Sequence, residues 1–183
     1  MKITDITPQK KNKDFYNIFI DDEFFCSLDD ESIYHMKLKI GMDIDKEALQ
    51  QASALSKYKK AVNYSLNLLA RHCKTSQELK KKLKEKEYDN ETIQAVIEKL
   101  TELGYLNDEN YAETFIRTKQ DTKQGLNKKT LYHKLMMKGL DKELILESLE
   151  KAEIDEYENA LKAAEKKLRS LKGSLKEKRA KLY

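Results

Sequence analysis

Apolar residues follow two different rhythms along this chain. In the first part Tyr16, Ile18 and Ile20 alternate with Asn17 and Asp21, and the polar run Asp21-Asp22-Glu23 separates them from Phe24, Phe25, Cys26 and Leu28. A period of two on both sides of a polar turn predicts a β-hairpin. Ile3 to Ile6, closed by Pro8, predicts a third strand. Short helices are expected over Ser32 to Lys39, stopped near Gly41, and over Asp45 to Ser53. Residues 1–55 therefore read as a small β-rich module.

From about Lys57 the spacing changes to three and four. One helix is expected over 58–72, with Ala61, Tyr64 or Ser65, and Leu68 on one face. A second is expected over 76–86, with Leu79 and Leu83 inward. Thr75-Ser76-Gln77-Glu78 fits a capping box at its start, in which a hydroxyl and a glutamate three residues on satisfy orphan amides. A third covers 90–103 through Ile93, Val96, Ile97, Leu100 and Leu103, and Gly104 suits the left-handed position that ends a helix. Tyr105 is expected to pack back on Leu100.

This layout recurs 52 residues later. Leu79 falls on Leu131, Leu83 on Leu135, Asp89 on Asp141, Ile93 on Ile145 and Ile97 on Leu149 when residues 75–100 are laid on 127–152. Charged matches come cheaply in Lys/Glu-rich helices, but the shared apolar register does not. The expected fold is mainly α: tandem three-helix repeats stacked as a curved solenoid, preceded by the hairpin-containing module. The repeats are expected at 56–104 and 105–153, with a partial third at 154–183. On that reading Asp155 to Leu171 is the first helix of an incomplete module, and an apolar face near it is left poorly covered; the plain alternative is a simple terminal helix.

Charge is locked to the same period. Residues 56–86 carry a net +8, 87–113 a net −7, 114–138 a net +6, 139–158 a net −6 and 159–183 a net +7, although the whole chain is only +4. The first two helices of each module are basic and the third is acidic. Stacked in one orientation, the basic helices would form a stripe suited to a phosphate backbone or an acidic protein groove. Pairing within the molecule is the competing use, and exposed pairs are worth only ~0–1 kcal/mol each. The candidate partner-binding residues are Lys80, Lys81 and Lys84 in the first repeat and Lys128, Lys129 and Lys134 in the second. Arg71, Lys74, Arg117 and Lys123 flank them at helix ends.

Composition narrows the function further. Five glycines and one proline favour long helices with short connections. Cys26 and Cys73 have no metal-ligand spacing and read as two free thiols of a cytoplasmic protein. The first residues contain no apolar leader segment, and no run approaches the ~20 residues needed to span a bilayer. His35, His72 and His133 form no zinc spacing, and His133 is expected to face solvent. His72 adjoins Cys73, but a nucleophilic pair also needs an orienting third group. Neither a Gly-rich phosphate loop nor a nucleophile elbow is present. The expectation is a binding protein and not an enzyme, with no cofactor and no metal.

The run Thr75 to Leu83, with Ile93, Val96, Ile97 and Leu100, then Gly104-Tyr105-Leu106-Asn107-Asp108-Glu109-Asn110-Tyr111-Ala112, resembles the RecX family of bacterial regulators of the RecA recombinase. Phe115-Ile116-Arg117, Gly125, Leu135 and Lys138-Gly139-Leu140 extend the likeness, as does the hairpin near Ile20 to Phe24, and together these cover nearly the whole chain. The stretch from Gly104 to Ala112 is its most specific part. The resemblance implies tandem three-helix repeats and binding within the groove of the RecA–DNA filament, restraining ATP hydrolysis and strand exchange, with single- or double-stranded DNA as a further partner. A monomer is expected. It also implies two further helices, which this sequence lacks. The rival reading is a helical DNA-binding module acting without recombinase, against which stands the acidic third helix of each repeat.

Overall fold

The computed structural model describes residues 1–10, 13–120 and 126–170. Lys123, Gly125 and the end of the expected third repeat lie outside the described residues. Within them the chain forms three strands followed by eight helices. It divides into two compact units: residues 1–68 with 83–99, and residues 69–82 with 100–183.

The first unit opens with an antiparallel sheet in the order β1 (Ile3–Pro8), β2 (Phe15–Ile20), β3 (Glu23–Asp29). Asp21 and Asp22 both have positive φ, 49° and 64°, which gives the two-residue hairpin the backbone twist its strands require. The turn is thus shorter than the polar run, and Glu23 is already in β3, opposite Ile20. The register shifts between Ile18 and Phe19, where Phe25 of β3 has no partner on β2. In β2, Phe15, Ile18 and Ile20 are buried while Tyr16 is only half-buried. Ile3, Ile18, Ile20, Cys26, Leu28, Leu38 and Leu49 form the core beneath the sheet.

Helix α1 spans Asp30–His35, earlier and shorter than the predicted 32–39. Its cap, Asp29, accepts from the Ser32 N–H at 2.6 Å. The helix ends where Lys37 turns left-handed at φ 51° and the Leu38 N–H reaches back to the Ile33 carbonyl.

The two helices expected at 45–53 and 58–72 are one continuous helix, α2 (Lys46–Arg71). The reason is visible in residues 54–57, Ala-Leu-Ser-Lys, which contain neither glycine nor proline to stop it. Its buried positions include Ser56, Ala61 and Ser65. The Ser65 hydroxyl donates to the Ala61 carbonyl, and Ser56 Oγ accepts from the Asp29 N–H at 3.1 Å.

Helix α3 covers Ser76–Lys84 and α4 covers Asn90–Glu102. Between them Glu87 sits at φ 62°, with the Glu87 N–H bonded to the Lys84 carbonyl and the Tyr88 N–H to the Leu83 carbonyl, a left-handed cap. Asp89 Oδ1 then caps α4 by accepting from the Thr92 N–H. Gly104 ends α4 at φ 73°, but Tyr105, expected to pack inward on Leu100, is 60% exposed. Leu106 is the residue turned inward: it is buried, and its N–H donates to the Leu100 carbonyl at 3.1 Å.

The second unit contains α5 (Asp108–Gln120), α6 (Lys128–Met137), α7 (Lys142–Lys151) and α8 (Glu156–Ser170). Helix α7 packs on α5 and α6 over a core of Ala112, Ile116, Leu131, Leu135, Leu140, Ile145 and Leu149. Positions 52 residues apart do the same jobs. Thr75 and Asn127 cap α3 and α6, Asp89 and Asp141 cap α4 and α7, and Glu87 and Gly139 hold the left-handed turns. Helix α8 leaves Tyr157, Leu161 and Leu168 exposed.

Candidate partner-binding surface

The basic residues owe their placement to the leucines between them. Leu79 and Leu83 are fully buried, which turns Lys81 and Lys84 into solvent and leaves Lys80 half-buried. Leu131 and Leu135 do the same in α6, where Lys128, Lys129 and Lys134 are exposed. Arg71 is exposed at the end of α2, Arg117 is exposed in the last turn of α5, and Lys74 is half-buried. His133 is exposed, as expected. Eight of these nine described residues belong to the second unit, and Lys84 to the first.

Other lysines are committed to internal pairs. Lys57 meets Asp89 at 2.6 Å, Lys59 bridges Glu31 and Asp29, Lys138 meets Glu78 at 2.7 Å and Lys151 meets Glu109 at 2.8 Å. These bonds hold the Glu31, Glu109 and Asp89 carboxyls below their ordinary values and push the Lys138 and Lys151 ammonium groups up. Among the described residues, none of the nine candidate cations forms an ion pair. Internal pairing thus involves lysines other than these nine candidates.

The start of α3 is tied down in a way that orients the basic helix. The predicted capping box is formed: Thr75 Oγ1 accepts from the Glu78 N–H at 3.1 Å, and Glu78 Oε2 accepts from the Thr75 N–H at 3.4 Å. Both box residues also reach the end of α6. The Thr75 hydroxyl donates to the Lys138 carbonyl at 2.7 Å, and Lys138 Nζ donates to Glu78 Oε1 at the same distance. Asp108 Oδ1 accepts from the Ser76 N–H at 2.8 Å, satisfying another orphan donor of the first turn.

A groove of about 320 Å³ lies in the second unit. Its floor is aromatic: Tyr111 and Phe115 stack with centroids 6.2 Å apart, and Lys119 Nζ lies 5.5 Å from the Phe115 ring centre. Burial pushes the Tyr111 hydroxyl above its ordinary value, against the nearby Lys138. Tyr105, 60% exposed, and the exposed thiol of Cys73 complete the wall. Sequence reasoning did not single out this groove. Its signals were an i, i+4 aromatic pair at 111 and 115 and a tyrosine directly after a helix-ending glycine.

Among the described residues no cluster of three or more histidine, cysteine or acidic side chains is placed to hold a metal ion. No helix among them is long and apolar enough to cross a membrane.

Residues 1–45 match the family model of the regulatory protein RecX N-terminal domain, and residues 61–100 match that of the first three-helix domain of RecX. The regulatory protein RecX of Clostridium perfringens strain 13 is 36% identical over 172 residues, spanning 93% of this chain and 80% of the relative. That of Clostridium botulinum strain Alaska E43 is 34% identical with the same coverage. That of Listeria welshimeri is 32% identical over 91% of this chain, which spans only 62% of that longer relative. A crystal structure of a regulatory protein RecX superposes with a TM-score of 0.69 over 99% of this chain and 89% of the other; at 24% identity it supports the fold alone. RecX from Lactobacillus salivarius gives 0.59 at 29% identity, over 68% of this chain and 82% of that one. The chain belongs to the RecX family of regulatory proteins.

Proposed function

We propose that this protein is a regulator of the RecA recombinase that binds the RecA–DNA filament as a monomer and restrains ATP hydrolysis and strand exchange. The observation that carries the reading is that Lys80, Lys81 and Lys84 on α3 and Lys128, Lys129 and Lys134 on α6 form no ion pair among the described residues and flank buried leucines at repeat-equivalent positions, while other lysines are consumed by internal pairs. We read the chain as an N-terminal module over 1–55, repeats over 56–104 and 105–153, and a partial repeat over 154–183. Two repeats engaging adjacent recombinase subunits gain avidity from the link between them, with no new contact needed. The protein shifts the filament only as far as it binds one filament state better than another.

The test is ATP hydrolysis by a bacterial RecA on single-stranded DNA, with this protein at substoichiometric and equimolar levels. Inhibition well below one protein per recombinase supports filament regulation. No effect from the folded protein, together with steeply salt-dependent DNA binding in the absence of recombinase, would replace the reading with that of a plain DNA-binding module.

A further inference from the structure

The stretch from Gly104 to Ala112 is the most distinctive in the sequence, and nearly every residue in it has a local task. Gly104 takes the left-handed turn, Leu106 is buried, and Asn107 Oδ1 caps α5 by accepting from the Asn110 N–H at 2.8 Å. Asp108 caps α3, Glu109 pairs with Lys151, Tyr111 stacks on Phe115 and Ala112 is fully buried. Tyr105 is different. It is large, 60% exposed, and stands at the groove instead of packing into the core.

The charge around the groove is equally selective. Helix α5 carries three carboxylates, and each is turned elsewhere: Asp108 to the start of α3, Glu109 to Lys151, and Glu113 toward the same lysine. The groove is lined by Lys74 and Lys119 and, among the described residues, by no carboxylate, in a chain with nearly as many acidic residues as basic ones. Asn110 and Thr114 add hydrogen-bonding groups along the same face.

We infer that this groove is an anchor site for a protein partner, and that its occupant is a segment presenting one large apolar side chain flanked by carboxylates. A volume of about 320 Å³ with an aromatic floor suits a single buried anchor, and an exposed tyrosine supplies contact area at low entropic cost. The two cations complement acidic flanks. They do not suit a nucleic-acid strand, which needs cations tracking successive phosphates, because among the described residues only these two cations line the groove. The inference rests on the proposed function, since it takes the recombinase as the protein that supplies the segment.

Cys73 makes the test direct. It is exposed and lines the groove, whereas Cys26 is buried and its thiol is pushed up to about 11 by burial. A benzophenone maleimide therefore attaches at Cys73. Irradiating the labelled full chain with a RecA filament on single-stranded DNA should give an adduct on a recombinase segment with a large apolar residue between acidic ones. In parallel, Tyr105→Ala should weaken filament binding by about tenfold, within the range for an interface tyrosine, while Tyr105→Phe should bind nearly as the parent. An adduct on DNA or on a second copy of this chain, or a neutral Tyr105→Ala with filament inhibition intact, overturns the groove proposal and leaves the proposed function standing. If the unlabelled parent neither binds nor inhibits the filament, both fall together.

Discussion

Gly139 and Gln77 leave no room for a methyl group between them: a Cβ at Gly139 would lie 2.5 Å from Gln77 Cγ and 2.6 Å from Gln77 Cβ. Gly139 also holds φ at +77°. A left-handed non-glycine residue costs ~1–2 kcal/mol, and an overpacked contact costs ~1–3 kcal/mol. Gly139→Ala should therefore lose about 2–5 kcal/mol in chemical denaturation, summing those two costs. A Gln77→Gly change in the same chain should recover part of the loss from the contact and none from the backbone.

The repeat-equivalent position is Glu87, held at φ 62° with no glycine to ease it. Glu87→Gly should raise stability by ~0.5–1 kcal/mol, the left-handed relief outweighing the extra freedom of glycine in the unfolded chain. A fall in the denaturation midpoint would show that the Glu87 side chain contributes more than its backbone costs.

Thr75 is fully buried, and its hydroxyl both accepts from the Glu78 N–H and donates to the Lys138 carbonyl. Thr75→Val keeps the shape and strips both bonds. Losing a cap together with a buried hydrogen bond predicts a cost of ~2–3 kcal/mol. Thr75→Ser should retain most of the stability, which equilibrium unfolding of the two variants will show.

Burial alone would raise the Asp29 carboxyl. The Ser32 hydroxyl and N–H, Lys59 and Ser56 outweigh it and hold the group below its ordinary 3.8. A carboxylate lowered on folding stabilises the protein above its unfolded value, and the contribution is lost as pH falls through the folded value. Asp29→Asn should cost ~1–3 kcal/mol near neutral pH. That deficit should narrow as pH drops below about 4, the ordinary range of an aspartate. A deficit that stays constant down to pH 3 would argue against an ionised Asp29 as its source.

Reversing Lys80 and Lys81, or Lys128 and Lys129, to glutamate should slow association with the RecA filament by about tenfold or more at low salt, as expected for lost electrostatic steering. The difference should shrink as ionic strength rises. Lys151→Glu, which removes a cation already paired with Glu109, is the control. An effect of Lys151→Glu about half that of either double reversal, in proportion to its change in charge, would mean that net charge matters and the particular faces do not.

Much of this was legible in the sequence because it depends on local pattern. The leucines at 79, 83, 131 and 135, the box at Thr75 and Glu78, and the glycine stop at 104 are signals that a few neighbouring residues generate and that the structure uses as read. What escaped was non-local or depended on a missing signal. Residues 54–57 carry no glycine or proline stop, but the apolar pattern changes across them and suggests two helices where the structure has one. Tyr105 and Leu106 are adjacent apolar residues after a glycine, and only the Leu106 N–H bond to Leu100 decides which of them turns inward. The groove needs residues from the end of α2, the 104–107 turn and α5 in one place, which no periodicity within a single helix reveals.

The double tie between Thr75 and Glu78 and the end of α6 bears on how the chain is made. The partners are separated by 63 and 60 residues. A ribosome releasing the chain from its N-terminus exposes α3 long before Lys138 is synthesised. Until then the first turn of α3 has its own box but neither of the two bonds from α6. Lys80 and Lys81 thus ride on a helix whose origin is fastened late in translation. A nascent chain stalled before residue 138 should show faster amide exchange at the start of α3 than one stalled well after it, which makes assembly of the basic surface a timed event in synthesis.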